Sequence, residues 1–249
     1  MRMKLLTIIF LKIFIRNRRA IFFVILLPVG IFLAATFLGL EGIVRFQKQI
    51  RYNDFLLTGV IAFAIMQTGI YTATYTFIDY HKSQVLKRLS VTPLSAGKLL
   101  TAQVVARFFV AVLQAVALLL IGVLAFHTKL NPALILLPVA LFIGNTLFLN
   151  IGFLLSSFTR DYEQAAPYTT VIGMVSMFLG DVFFPIENLP GYLARVAEFL
   201  PMAPLVSLLR FSILGAVPEH YTRDMVLLLV WFVGLSLLAK RVFAKKAYR

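Results

Sequence analysis

The sequence predicts an all-α polytopic membrane protein with six transmembrane helices, and three observations predict it. Of the 249 residues, 61% are hydrophobic and 14% charged, where a soluble domain carries about 45–50% and about 25%. Mean hydropathy is +0.92, too high for one water-soluble core to absorb. The apolar residues fall in runs close to the roughly 20 that a helix needs to cross the bilayer core with its backbone polar groups satisfied internally. Lys and Arg collect between those runs and at both termini, giving a net charge of +14. That is the charge pattern of cytoplasmic helix ends; no Gly-rich or aromatic-interleaved module speaks for nucleic acid. Cysteine is absent, which excludes disulfides, thiolate metal sites and a cysteine nucleophile.

Residues 1–249 read as one transmembrane domain, since no long polar linker interrupts the apolar stretches. Met1-Arg2-Met3-Lys4 before an apolar run imitates a signal peptide. Lys12 breaks that run, however, and Arg16, Arg18 and Arg19 follow without a small-residue cleavage site, so an uncleaved chain is expected. Within residues 1–19, Lys12, Arg16 and Arg19 share one helical stripe with Leu6, Phe10 and Ile13 roughly opposite. This predicts a helix lying in the interface; its alternative is an extension of the first span. The spans are expected at 20–40, 55–78, 99–126, 133–158, 164–184 and 225–239, the last lengthening by snorkelling at Lys240-Arg241. Between the first two, Ile43, Phe46 and Ile50 alternate with Arg45, Lys48 and Arg51 at helical spacing, predicting a short helix on the outer surface.

Residues 189–217 do not read as a full span. Pro190, Arg195, Glu198, Pro201, Pro204 and Arg210 cut them into pieces of the length expected of a re-entrant or interfacial hairpin. Orientation follows from the basic residues. With the N-terminus inside and six spans, sixteen Lys and Arg lie in inner segments and seven (Arg45, Lys48, Arg51, Lys129, Arg195, Arg210 and Arg223) in outer ones. Seven spans would put the basic tail outside, against the positive-inside rule. Both termini are therefore expected in the cytoplasm.

Catalytic chemistry is missing from this pattern. Arg107 and Asp181 are the ionisable residues closest to mid-span, and interfacial or structural roles are expected for both. His81, His127 and His220 fall in loops without partners at metal-ligand spacing. No HExxH, no GxSxG and no paired acids within a span occur. Gly97-Lys98 resembles the end of a phosphate-binding loop, but Leu99 replaces the hydroxyl residue and Thr92 the first Gly.

The longest inner loop is 79–98. Its middle can form two helical turns, with Val85, Leu86 and Leu89 on one face and Lys87-Arg88 beside them. Pro93 then stops the helix, and Ser95 is placed to cap the third span. A short amphipathic helix held between two membrane helices can carry force from a soluble partner into the bilayer. Lys87-Arg88-Leu89-Ser90-Val91-Thr92-Pro93-Leu94-Ser95 resembles the pattern after the cytosolic coupling helix in permease subunits of type-2 ABC exporters. Phe183-Phe184-Pro185-Ile186-Glu187-Asn188-Leu189-Pro190, then Leu200-Pro201 and Arg210, resembles the same family's segment beyond the fifth span, and Asp161-Tyr162-Glu163-Gln164-Ala165-Ala166 its preceding inner loop. Leu179-Gly180-Asp181 departs from the usual Ser-Gly pair followed by an apolar residue.

The resemblance implies a permease in a bacterial plasma or inner membrane that pairs with a second permease subunit and docks ABC ATPase subunits. Those ATPases would use ATP and magnesium, while this chain binds no cofactor and no metal. It implies that Val85, Leu86, Lys87, Arg88, Leu89, Thr92, Pro93 and Leu94 couple to the ATPase. It further implies that Phe184, Pro185, Glu187, Leu189, Pro190, Pro201 and Arg210 belong to an outer gate. The second span, rich in Thr and Tyr, either lines a path for an amphiphilic substrate or bonds helix to helix. Two alternatives remain, a membrane-embedded lipid-modifying enzyme and an ion-coupled carrier. The first would need convergent intramembrane polar residues, the second intramembrane carboxylates and an internal repeat.

Overall fold

The computed structural model describes residues 3–17, 21–39, 50–84, 96–217 and 220–246, and among them every regular element is helical. In chain order these are α1 (Met3–Arg16), a π-helical turn (Phe22–Leu26) running into α2 (Leu27–Phe37), α3 (Tyr52–Lys82), α4 (Ala96–Phe126), and a 3-10 turn (Pro132–Leu136) leading into α5 (Leu137–Phe158). Then follow α6 (Tyr162–Leu179), a 3-10 turn (Ile186–Asn188), α7 (Gly191–Phe199), α8 (Met202–Leu214) and α9 (Tyr221–Lys246). Four helices are long and apolar enough to cross a membrane, or five if α7 and α8 together form one broken span. The apolar helix Phe22–Phe37 is shorter, about 24 Å at 1.5 Å per residue. The expected surface helix around 43–50 lies outside the described residues except for Ile50, and the middle of the 79–98 loop lies outside them, as does Ser95.

Helix α3 is the centre of the bundle. Leu56, Leu57, Val60, Ile61, Met66 and Ile70 are almost wholly enclosed, and α2, α4, α5, α6 and α8 all pack on it. Where a helix is enclosed by its neighbours it has no polar face, so its buried hydroxyls must find partners inside the protein. Thr74 donates to the Gly152 carbonyl of α5 (3.0 Å), Thr68 and Gln114 of α4 bond each other, and Thr58 bonds back to the Phe55 carbonyl (2.8 Å). These hydroxyls therefore bond within and between helices; Gln67, Tyr71, Thr72, Tyr75 and Thr76 keep partial exposure along one stripe. Small residues set the α3–α5 distance. A Cβ on Gly152 would run into the Ile70 carbonyl, and one on Gly69 would come within 2.7 Å of the Phe148 Cβ. Close backbone approach is how helices associate where lipid supplies no hydrophobic drive. Gln114 also donates to the Val24 carbonyl (2.6 Å) in the π-helical turn, a widened turn whose carbonyls are not all taken up within the helix.

Both ends of the bundle are tied. At one end Phe77, Leu99, Phe153 and Ala239 form a small apolar cluster against which Phe10, Tyr80 and Leu100 pack. This brings α1 and the C-terminal part of α9 to the end where α3 stops and α4 begins. On α1 the enclosed residues are Leu6 and Phe14, while Ile13 is exposed. The inward face is thus 6, 10 and 14 at i, i+4 spacing, and Ile13 is not part of it. At the other end Arg51 pairs with Asp54 (2.9 Å) and donates to the Phe126 and His127 carbonyls (3.1 and 2.9 Å). Thr128 donates to Asp54 (2.7 Å). The start of α3 is thereby fastened to the α4–α5 connection.

Candidate functional site at the ends of the bundle

The residues after α6 build the larger site. Gly180 caps the helix, and Asp181 follows with φ at 60°, a left-handed backbone that Asp tolerates better than most residues. In that conformation its carboxylate accepts from the Ile186 amide (3.1 Å) and pairs with Arg210 of α8. Arg210 also donates to the Asp181 carbonyl (3.1 Å), and its guanidinium lies 4.1 Å from the centre of the Phe55 ring. Both side chains are largely enclosed, at 13% and 14% exposure. An ion pair in an apolar surrounding requires this kind of multiple satisfaction, because either charge alone would be left desolvated.

Helices α7 and α8 meet at 75°. Leu200, preceding Pro201, is held extended (φ −70°, ψ 146°), since the proline ring excludes the helical region for the residue before it. The open Phe199 carbonyl at the break accepts from the Trp231 indole (2.9 Å). Arg223 pairs with Glu198 of α7 (2.7 Å), and Asp224 accepts from Ser207 of α8 (2.8 Å). The bent pair is thus pinned to α9 through both of its helices. A cavity of about 270 Å³ lies between these parts, lined by Asp181, Glu187, Glu198, Arg210, Arg223 and Asp224 among others.

Of the seven residues expected at an outer gate, Pro185, Glu187 and Arg210 line this cavity. Pro190 and Pro201 instead open α7 and α8 as N-caps, and Leu189 closes the Ile186–Asn188 turn. Phe184 packs on the main core. The sequence alone offers no partner for Asp181, nor for Glu198, Ser207, Arg223 and Asp224. Opposite charges on two apolar segments were the available signal, since lipid forces such groups to pair.

The other end is smaller. Tyr162, at the start of α6, donates its hydroxyl proton to Asp79 of α3, and Lys82 lies 4.5 Å from the centre of its ring. The Asp79 carboxylate accepting that proton, with slight desolvation and its negative charge adding to the effect, raises the Tyr162 phenol above its ordinary value of 10.0. Asp161 accepts from the Gln164 amide (2.8 Å) and Gln164 from the Arg160 amide (3.2 Å), a reciprocal cap on α6. The Tyr162–Asp79 bond joins the last turns of α3, where the coupling loop departs, to α6. The eight coupling residues, Val85, Leu86, Lys87, Arg88, Leu89, Thr92, Pro93 and Leu94, lie outside the described residues. Among the described residues, no group of three or more His, Cys, Asp or Glu is arranged to hold a metal.

Residues 31–240 match the ABC-2 family transporter protein family, and the chain belongs to it. It is 22% identical over 201 residues to nodulation protein J of Rhizobium leguminosarum bv. viciae, covering 80% of this chain and 77% of that one. It is 21% identical over 199 residues to nodulation protein J of Neorhizobium galegae, covering 78% and 76%. A probable multidrug ABC transporter permease, YbhR of Escherichia coli K12, is 25% identical over 194 residues, 77% of this chain and 50% of that one. The chain is accordingly a membrane subunit of an ABC-2-type transporter and not itself an enzyme. The lipid-modifying enzyme and the ion-coupled carrier give way to this assignment.

Proposed function

We propose that the chain is the permease half of an exporter in the bacterial inner membrane, crossing it six times with both termini in the cytoplasm. A second permease subunit completes the path, and separate ABC ATPases supply ATP hydrolysis with their own nucleotide and magnesium. The match to the ABC-2 family over residues 31–240 carries this reading, because it runs from the first apolar helix into the last. The relatives named for nodulation and for multidrug transport support a transported substrate without identifying it. The positive-inside rule supports the orientation.

In this reading the Val85–Leu94 segment docks in the ATPase, and the α7–α8 pair with Asp181 and Arg210 forms the outer closure. Burying Leu86 and Leu89 in a partner's cleft would contribute about 1.5–3 kcal/mol each, while Lys87 and Arg88 at the rim set orientation and association rate. The test is co-purification of an ABC ATPase with this chain from the cells that make it, together with export by the reconstituted complex. Leu89→Asp is expected to weaken ATPase recovery or uncouple hydrolysis from export while the permease remains inserted. Lys87→Ala should give a milder, salt-sensitive effect. ATPase recovery and export both equal to wild type in Leu89→Asp would overturn the docking assignment, and ATP hydrolysis by the purified permease alone would overturn the division of labour.

A further inference from the structure

Arg107 takes no part in either site. It lies on α4 beneath α1, with its guanidinium 5.5 Å from the centre of the Phe14 ring, and its Nη1 is buried without a hydrogen-bond partner. Among the described residues no carboxylate pairs with it, although the residue keeps partial exposure at the bundle surface. One turn nearer the start of α4, Gln103 donates to the Tyr80 hydroxyl (3.2 Å). That hydroxyl oxygen accepts, so its own proton is free to be donated, and the phenol is near enough to feel the Arg107 charge.

Depth narrows the identity of that acceptor. Helix α4 has 31 residues, about 46 Å against a core of about 30 Å, which leaves roughly 8 Å at each end. Arg107 is the twelfth residue, so its Cα sits roughly 8 Å inside the core boundary. Side chains on a helix lean toward its N-terminus, and a long cation follows that lean back to the interface. At that level the abundant anion is a lipid phosphate.

We propose that Arg107 and Tyr80, roofed by Phe14, bind the phosphate of an anionic phospholipid in the leaflet at the α1 end of the bundle. The lipid neutralises the charge that no carboxylate among the described residues pairs with, and fixes α1 against α4. The site depends on α4 crossing the membrane, not on which side is cytoplasmic.

The full chain, purified in a neutral detergent with an equimolar mixture of phosphatidylglycerol and phosphatidylcholine, tests it by native mass spectrometry of the retained lipid. Wild type is expected to retain phosphatidylglycerol preferentially. Arg107→Gln should reduce that preference about fivefold, the value of one cation near an anionic surface. Arg107→Lys should keep most of it, and Tyr80→Phe should lose part of it. If Arg107→Gln does not fold, full preference in Tyr80→Phe together with complete loss in Arg107→Lys would by itself overturn the site. An unchanged preference in Arg107→Gln, or no loss in Tyr80→Phe with equal loss in Arg107→Lys and Arg107→Gln, would overturn the site as one built for phosphate. Inorganic phosphate that stabilises wild type but not Arg107→Gln against heat, with no lipid preference in either, would assign a soluble anion and overturn the lipid.

Discussion

Removing Arg210 leaves Asp181 buried without its counter-ion, and the consequences can be worked from the contacts. Arg210→Met loses the Asp181 ion pair, the 3.1 Å bond to the Asp181 carbonyl and the stack on Phe55. Breaking a buried pair by deleting one member costs about 3–5 kcal/mol, because the partner's charge stays desolvated. The cation–π contact adds about 0.5–2 kcal/mol. Asp181→Asn should cost less, because the amide oxygen can still accept from Ile186 and the carbonyl still holds Arg210. The double variant Asp181→Asn with Arg210→Met should fall well short of the sum, with a coupling of about 0.5–3 kcal/mol. Arg210→Lys is not conservative, since a point charge reproduces neither the forked contact nor the ring stack. The assay is a double-mutant cycle on unfolding of the purified protein in detergent, with limited proteolysis around Leu200-Pro201 as a local readout. Single-variant effects that add to within about 0.5 kcal/mol would show that the two groups act independently and would refute the Asp181–Arg210 pairing.

Three further outcomes are expected. Gly152→Val should destabilise by at least about 1–3 kcal/mol, because its Cβ would meet the Ile70 carbonyl, whereas Gly234→Ala, in open space on α9, should be neutral or stabilising by up to about 1 kcal/mol. Equal melting temperatures for the two would refute the close α3–α5 approach. A single cysteine at Tyr248, in this cysteine-free chain, should resist an impermeant thiol reagent added outside cells and react after permeabilisation; labelling from outside would overturn the cytoplasmic C-terminus. The raised Tyr162 phenol binds its proton more tightly folded than unfolded, so its contribution to stability is complete below the ordinary value of 10.0 and is lost as pH rises through the folded value. Wild type should therefore lose more stability than Tyr162→Phe on alkaline titration, and parallel curves would exclude the Asp79 contact.

Much of this protein is legible in one dimension because lipid imposes a simple rule. A run without charge must be helical and must be long enough, so the apolar segments and their breaks at Pro190 and Pro201 could be read directly, whereas Arg210, which looked like a break, lies within α8. Caps and breakers are equally local. Pro201 forces Leu200 out of the helical region, and Asp161 with Gln164 closes the start of α6. Length is less legible: composition marks 20–40 as a span, while the described helix there is a short α-helix behind a π-helical turn that leans on Gln114.

Which side chains meet is a separate matter. Asp181 and Arg210 are 29 residues apart, and Asp79 and Tyr162 are 83 apart; nothing in local spacing couples them. The Thr residues of α3 show why. A polar stripe reads the same whether it faces a path or another helix, and only the packing of five other helices around α3 puts Thr68 and Thr74 inside. Sequence alone determined the membrane class, the apolar segments and the family's motifs, because each depends on residues close together in the chain. Tertiary structure decided that Arg210 is held by Asp181 and that no carboxylate among the described residues pairs with Arg107, because pairing in a low-dielectric interior depends on distances the chain sets only when it folds.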